Sequence, residues 1–194
     1  SLSASLTLRD VQTEAQSSFH TSASAVIAAA WGTVLYMYLR HECESVVFDG
    51  VRGQDTVSIP VGPTMCDMHN PSSLVEHIKC AWSGASANIT GPTLFFDALH
   101  DPEPDAFAHV EAVLRAHPEV TLACIAYVNV DGIITLSLLA SHIIHVYDSA
   151  RTQLEQMREA LRAILEPRDP MAMQPHITNL ANPHTQPMSI DMPN

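Results

Sequence analysis

The stretch Val46-Val47-Phe48-Asp49-Gly50-Val51-Arg52-Gly53-Gln54, followed at Pro60-Val61-Gly62-Pro63 by a second short signal, decides the fold. Its Val-Val-Phe run predicts a strand over Ser45 to Val51 buried on both faces, because a half-exposed strand would alternate apolar and polar residues. The Arg52-Gly53-Gln54 segment reads as a loop and Pro60 to Pro63 as a turn. Immediately upstream, Ser24 to Arg40 carries Val26, Ile27, Ala30, Trp31, Val34, Leu35, Tyr38 and Leu39 at helical spacing over a wide apolar face. Such a helix is expected inside the protein, with Trp31 in the core. Its many alanines let it approach a sheet closely. A buried helix leading into a buried strand points to an α/β domain.

Outward from this centre the chain continues to alternate. Leu6 to Ala15 has helical spacing with Asp10 and Glu14 on the wet side, and Thr21 or Ser22 caps the helix that follows. Asn70-Pro71-Ser72 stops the chain before a helix over Ser73 to Ala85, with Leu74, Ile78, Ala81 and Trp82 on one side. A strand over Thr93 to Asp97 and a helix over Asp105 to Ala116 come next, the latter ended by His117-Pro118. The apolar runs Thr121 to Val130 and Ile133 to His145 flank Asp131-Gly132, a hairpin signal. A last amphipathic helix over Ser149 to Glu166 turns Leu154, Met157, Leu161, Ile164 and Leu165 inward, and Pro167 ends it. The expected organisation is one lobe over residues 1–166 and a Pro- and Met-rich linker over residues 167–194.

The 194 residues suffice for a single core. Nine basic against twenty-one acidic residues give a formal charge of −12, which repels nucleic-acid backbones and anionic lipid surfaces. Neither is expected as a partner. No apolar run approaches a bilayer span and the first residues lack the pattern of a secretory leader, so the expectation is a soluble, cytoplasmic protein. Ser1 in place of an initiator Met reads as a cut inside a longer polypeptide or as an artificially chosen boundary. The four cysteines, Cys43, Cys66, Cys80 and Cys124, are too few and scattered for a disulfide framework, and Cys124 reads as core. The pairs Cys66-x-x-His69 and His77-x-x-Cys80 supply two thiols and two imidazoles at zinc-like spacing. Eleven histidines in the chain make chance pairings of this kind common, and no metal is the expectation.

Taken in order, the Ala30-Trp31 helix, the Val46-Val47-Phe48 strand, the Arg52-Gly53 loop and the Val61-Gly62-Pro63 turn resemble the carboxy-terminal lobe of a condensation domain of nonribosomal peptide synthetases, a member of the chloramphenicol-acetyltransferase-like superfamily. The hairpin at Asp131-Gly132 and the closing Leu- and Arg-rich helix extend the likeness over Leu6 to Leu165. The resemblance implies a two-layer α/β sandwich, a mixed sheet covered by helices. It also implies where chemistry is missing. The family's His-His-x-x-x-Asp-Gly signature, whose second His orients or deprotonates the acceptor amine, belongs to the amino-terminal lobe, and no His-His pair occurs in this sequence. The nearest imitation, Ser141-His142-Ile143-Ile144-His145-Val146-Tyr147-Asp148, has the wrong spacing and reads as a strand edge.

Three departures bear on function. The family's Ser-Gly-Arg loop reads Val51-Arg52-Gly53-Gln54, the turn continues as Thr64-Met65-Cys66-Asp67 instead of the family's Asn- and Pro-containing segment, and the crossing from Gly62 to Leu94 is short. Together they favour a non-catalytic, truncated condensation-like domain that supports a following adenylation domain in a multidomain synthetase or synthetase-like reductase. ATP, Mg and phosphopantetheine then belong to neighbouring domains, and a carrier domain is a further possible partner. The alternative is the carboxy-terminal half of a working condensation domain whose catalytic His lies in another lobe. Arg52 and Asp67, otherwise solvated loop positions, are the candidates for interlobe or interdomain contact.

Overall fold

The computed structural model describes residues 2–39, 44–66, 70–84, 87–140 and 146–166. In chain order they form β1 (Leu2–Leu8), α1 (Val11–Phe19), α2 (Ala23–Leu39), β2 (Val46–Arg52), β3 (Asp55–Val61), α3 (Pro71–Trp82), β4 (Thr93–Pro102), α4 (Glu103–Ala116), β5 (Leu122–Val128), β6 (Ile134–Ala140) and α5 (Val146–Leu165). The strands make one mixed sheet in the order β1-β6-β5-β4-β2-β3. Its centre, β2-β4-β5, is parallel, and antiparallel strands complete both sides. This is the α/β class, with a mixed helix-covered sheet, expected from the sequence.

Alternation along the strands divides the interior in two, because successive side chains leave a strand on opposite faces. Phe48, Phe95, Cys124, Ala126, Leu136 and Leu138 point toward α2 and α5 and form the larger core. Leu94, Phe96, Ala98, Ala123 and Ile125 point the other way and are closed over by Ala106 and Val110 of α4. Helix α2 lies at the middle of the larger core: every residue from Ala23 to Leu35 is buried. Trp31 is fully buried there, as its spacing predicted. Gly32 sets how closely α2 meets the sheet, since a Cβ at that position would lie 3.0 Å from Val61 Cγ2 and 3.1 Å from Phe48 Cε1. Cys124 is buried as expected, its Sγ 3.9 Å from Met157 Sδ.

Several local expectations are corrected. Leu6 to Ala15 is not one helix: residues through Leu8 pair with β6, and α1 begins only at Val11 after Asp10 in a left-handed turn at φ 62°. Val46 and Phe48 are buried, but Val47, on the face away from α2, is 43% exposed, so the strand is not covered along the whole of both faces. The Arg52-Gly53-Gln54 segment is a tight turn, with Gly53 at φ 58°, that returns the chain as the unanticipated strand β3. Of the stretch from Ser141 to Asp148, residues 141–145 lie outside the described residues, and Val146 to Asp148 start α5 rather than edging a strand. The linker expected over residues 167–194 also lies outside them.

Candidate functional site

Arg52 and Asp97 are 45 positions apart in sequence and meet in the fold. Parallel pairing of β2 with β4 sets Val51 beside Phe96, which brings the next residue of each strand together on the α2 face, at the carboxyl end of β2. There Arg52 Nε donates to Asp97 Oδ2 at 2.6 Å, and Arg52 Nη2 donates to Ser24 Oγ at 3.0 Å. Ser24, in the first turn of α2, in turn donates its hydroxyl to the same Asp97 oxygen at 2.6 Å. Asp97 has no exposed side-chain surface, whereas that of Arg52 is 38% exposed. A carboxylate so deeply placed needs the cation and the hydroxyl together, because removal from water otherwise costs several kcal/mol, about 3–5 when a buried pair is broken.

The guanidinium is also held from the side. Arg52 Cζ stacks 4.2 Å from the ring centre of Trp82, the last residue of α3, a cation–π contact. The stack requires Gly50: a Cβ there would meet Trp82 Cζ2 at 2.8 Å. The Trp82 indole N–H is buried with no hydrogen-bond partner among the described residues. Arg52 thus ties α2, α3, β2 and β4 together at one end of the sheet.

A second buried carboxylate lies on the opposite face. Asp49, fully buried, accepts the Ser58 hydroxyl on Oδ1 and the backbone N–H groups of Thr90 and Gly91 on Oδ2, both at 2.7 Å. Charge-assisted bonds of this kind are the stronger class. They fasten the segment before β4 to the middle of β2. This role of Asp49 was not read from the sequence. The strand's apolar run gave no sign of it; a carboxylate inside a buried strand was the one available signal.

Of the other sequence candidates, His77, Cys80 and Cys66 are described. His77 donates its Nε2–H to the Pro60 carbonyl at 2.9 Å. Cys80 is exposed on α3, and Cys66 is half-buried, its thiol pushed up to about 11 by burial and eased back by a hydrogen bond with Thr33. His69 and Asp67 lie outside the described residues. Among the described residues no three His, Cys, Asp or Glu side chains cluster at metal-holding distance. Arg52 is not the solvated loop residue it resembled in sequence but the end of a strand, fixed on three sides.

Comparison with solved structures places this geometry. The first condensation domain of the CDA synthetase superposes over 87% of this chain with a TM-score of 0.58 at 11% identity. The fold is that of one half of a condensation domain. The epimerization domain from the third module of tyrocidine synthetase B matches over 84% of the chain, with a TM-score of 0.53 at 12% identity. A trichothecene 15-O-acetyltransferase from Fusarium sporotrichioides matches over 84%, with a TM-score of 0.56 at 10% identity. The chain spans about half the length of these structures, 46%, 47% and 46% respectively. No protein-family description matches the chain, and no curated protein matches it in sequence. Among the described residues no single helix is long and apolar enough to cross a membrane; α1 and α2 meet at a 92° bend, and α2 is buried in the core from Ala23 to Leu35.

Proposed function

We propose that this chain is the carboxy-terminal lobe of a condensation-type domain in a cytoplasmic, multidomain peptide-synthetase-type enzyme, and that it supplies a rigid scaffold rather than the proton-transferring group. The order of the Val46–Phe48 strand, the Pro60–Pro63 turn and the Asp131-Gly132 hairpin supports the choice of lobe. The observation that carries the non-catalytic role is the commitment of both buried carboxylates to architecture: Asp97 is spent on Arg52 and Ser24, and Asp49 on Ser58 and the Thr90–Gly91 backbone. In the resembling family general acid–base work falls to an imidazole, and no histidine among the described residues is hydrogen-bonded to either carboxylate. On this reading the lobe covers and orients an adjoining adenylation domain. That neighbour handles ATP and Mg, and a carrier domain brings phosphopantetheine.

A second reading has one observation in its favour. Arg52 keeps more than a third of its side chain exposed at the carboxyl end of the parallel strand β2, the end at which open α/β sheets bind ligands. Half of a working condensation site, with its His on another lobe, would use such a guanidinium for orientation. The deciding experiment compares the parent enzyme with and without residues 1–194 by amino-acid-dependent ATP–pyrophosphate exchange, melting temperature and peptide-bond formation. The scaffold reading expects exchange or melting temperature to fall on deletion. Unchanged adenylation with abolished peptide-bond formation refutes it in favour of the second.

A further inference from the structure

An open sheet has two edges, and this one treats them differently. On β3 the outward-facing backbone groups belong to Thr56, Ser58 and Pro60. The Thr56 carbonyl accepts the Ala87 N–H at 2.6 Å, the Pro60 carbonyl accepts from His77 Nε2 at 2.9 Å, and Pro60 has no N–H to offer. An incoming strand finds little to pair with there, a common way of blunting an edge.

Among the described residues the β1 edge carries no such devices. Asn129 N–H donates to the Ile133 carbonyl at 3.0 Å, so those two form a hydrogen-bonding pair of the β5–β6 hairpin. Bonded and non-bonded pairs alternate along an antiparallel ladder, which makes Thr135, Ser137 and Leu139 bond to β5. Ile134, Leu136, Leu138 and Ala140 are left for β1, where their partners are Leu8, Leu6, Ala4 and Leu2. The backbone N–H and C=O groups of Ser3, Ser5 and Thr7 therefore face outward, and no backbone bond to another element reaches them among the described residues. Leu2 to Leu8 contains no proline, glycine or charge in a chain of formal charge −12.

The sequence Leu-Ser-Ala-Ser-Leu-Thr-Leu is also nearly the same read in either direction. An antiparallel copy about a two-fold axis at Ser5 sets Ser5 opposite Ser5, Ser3 opposite Thr7, Ala4 opposite Leu6 and Leu2 opposite Leu8. Each hydroxyl position then faces a hydroxyl position and each apolar position an apolar one. All three outward residues fall in hydrogen-bonding pairs, giving about six new backbone bonds, two per pair. We propose that the β1 edge is a self-association surface, pairing with β1 of a second copy of this chain to make one continuous sheet across a two-fold axis. The proposal goes beyond the condensation-type reading and does not rest on it.

Sedimentation velocity of the full 194-residue chain, from about 5 to about 200 μM because a single-strand interface is small, reads the outcome. The expected result is a mass rising from the 21.1 kDa monomer to twice that value. Ser5→Pro removes only an outward N–H, so it is expected to be monomeric with an unchanged unfolding midpoint. Ala4→Pro removes an N–H bonded to β6 and is expected to lower the midpoint. With Cys43 and Cys80 replaced by Ser, Ser5→Cys should cross-link to its copy on oxidation. Residues in a bonded pair have Cα atoms about 5.5 Å apart, within disulfide reach. Ser3→Cys, set opposite Thr7, should not. A chain that is monomeric at every concentration overturns the proposal. So does a dimer that survives Ser5→Pro, or a Ser5→Pro variant destabilised as much as Ala4→Pro.

Discussion

Arg52→Met is expected to destabilise the protein more than Asp97→Ala, although both break the same ion pair. The reason is their unequal burial. Methionine keeps an apolar chain against Trp82 but withdraws the donor 2.6 Å from Asp97 Oδ2. The carboxylate stays where it is, with no exposed surface, holding only the Ser24 hydroxyl at 2.6 Å and a long 3.4 Å bond from the Leu99 N–H. Leaving one member of a buried pair uncompensated costs about 3–5 kcal/mol. In Asp97→Ala the orphan is the guanidinium, which at 38% exposure reaches water and keeps its place on the indole. There the loss is about 2 kcal/mol, that of charge-assisted hydrogen bonds rather than of a stranded charge. Urea unfolding followed by far-ultraviolet circular dichroism measures both, provided the denaturant slopes agree with the parent. The double variant Arg52→Met/Asp97→Leu should recover part of the Arg52→Met loss, since no buried charge remains. Equal losses for the two single variants, or an Arg52→Met loss under about 1 kcal/mol, refute this account of the site.

Gly50→Ala should cost about 1–3 kcal/mol, the range for overpacking, because its Cβ would press on Trp82 at 2.8 Å; loss of near-ultraviolet tryptophan dichroism should accompany it. Asp49→Ala strands the Thr90 and Gly91 N–H groups and the Ser58 hydroxyl, for an expected loss of about 2–4 kcal/mol in urea unfolding. Hydrogen exchange should also quicken at those two amides while β5 stays protected. Thiol labelling in a Cys43→Ser background should be ordered Cys80, then Cys66, with Cys124 reacting only on unfolding. With its thiol at about 11, only about one Cys66 in a thousand is ionised at pH 8. Its labelling should therefore speed up roughly tenfold per pH unit, whereas fully buried Cys124, also pushed up by burial, stays silent whatever the pH.

Part of this protein is legible one segment at a time. Helix α2, the Asp131-Gly132 hairpin and helix α5 follow from periodicity and turn chemistry, because each carries its whole signal within about twenty residues. The burial of Trp31 and Cys124 follows in the same way. Where a segment's state depends on a distant partner, the pattern misleads. Leu6, Val11 and Ala15 have helical spacing, yet Leu6 is in a strand because β6, more than a hundred residues later, offers an edge to pair with. Strand β3 hides behind Pro60 and the polar Thr56 and Ser58, tolerable only because it is an edge. The site is less legible still. Nothing near Arg52 in sequence announces Asp97, and nothing near Asp49 announces Thr90 and Gly91. Those meetings are set by the parallel register of β2 against β4, a property of neither strand alone, and only the folded sheet brings each carboxylate to the donors that let it stay buried.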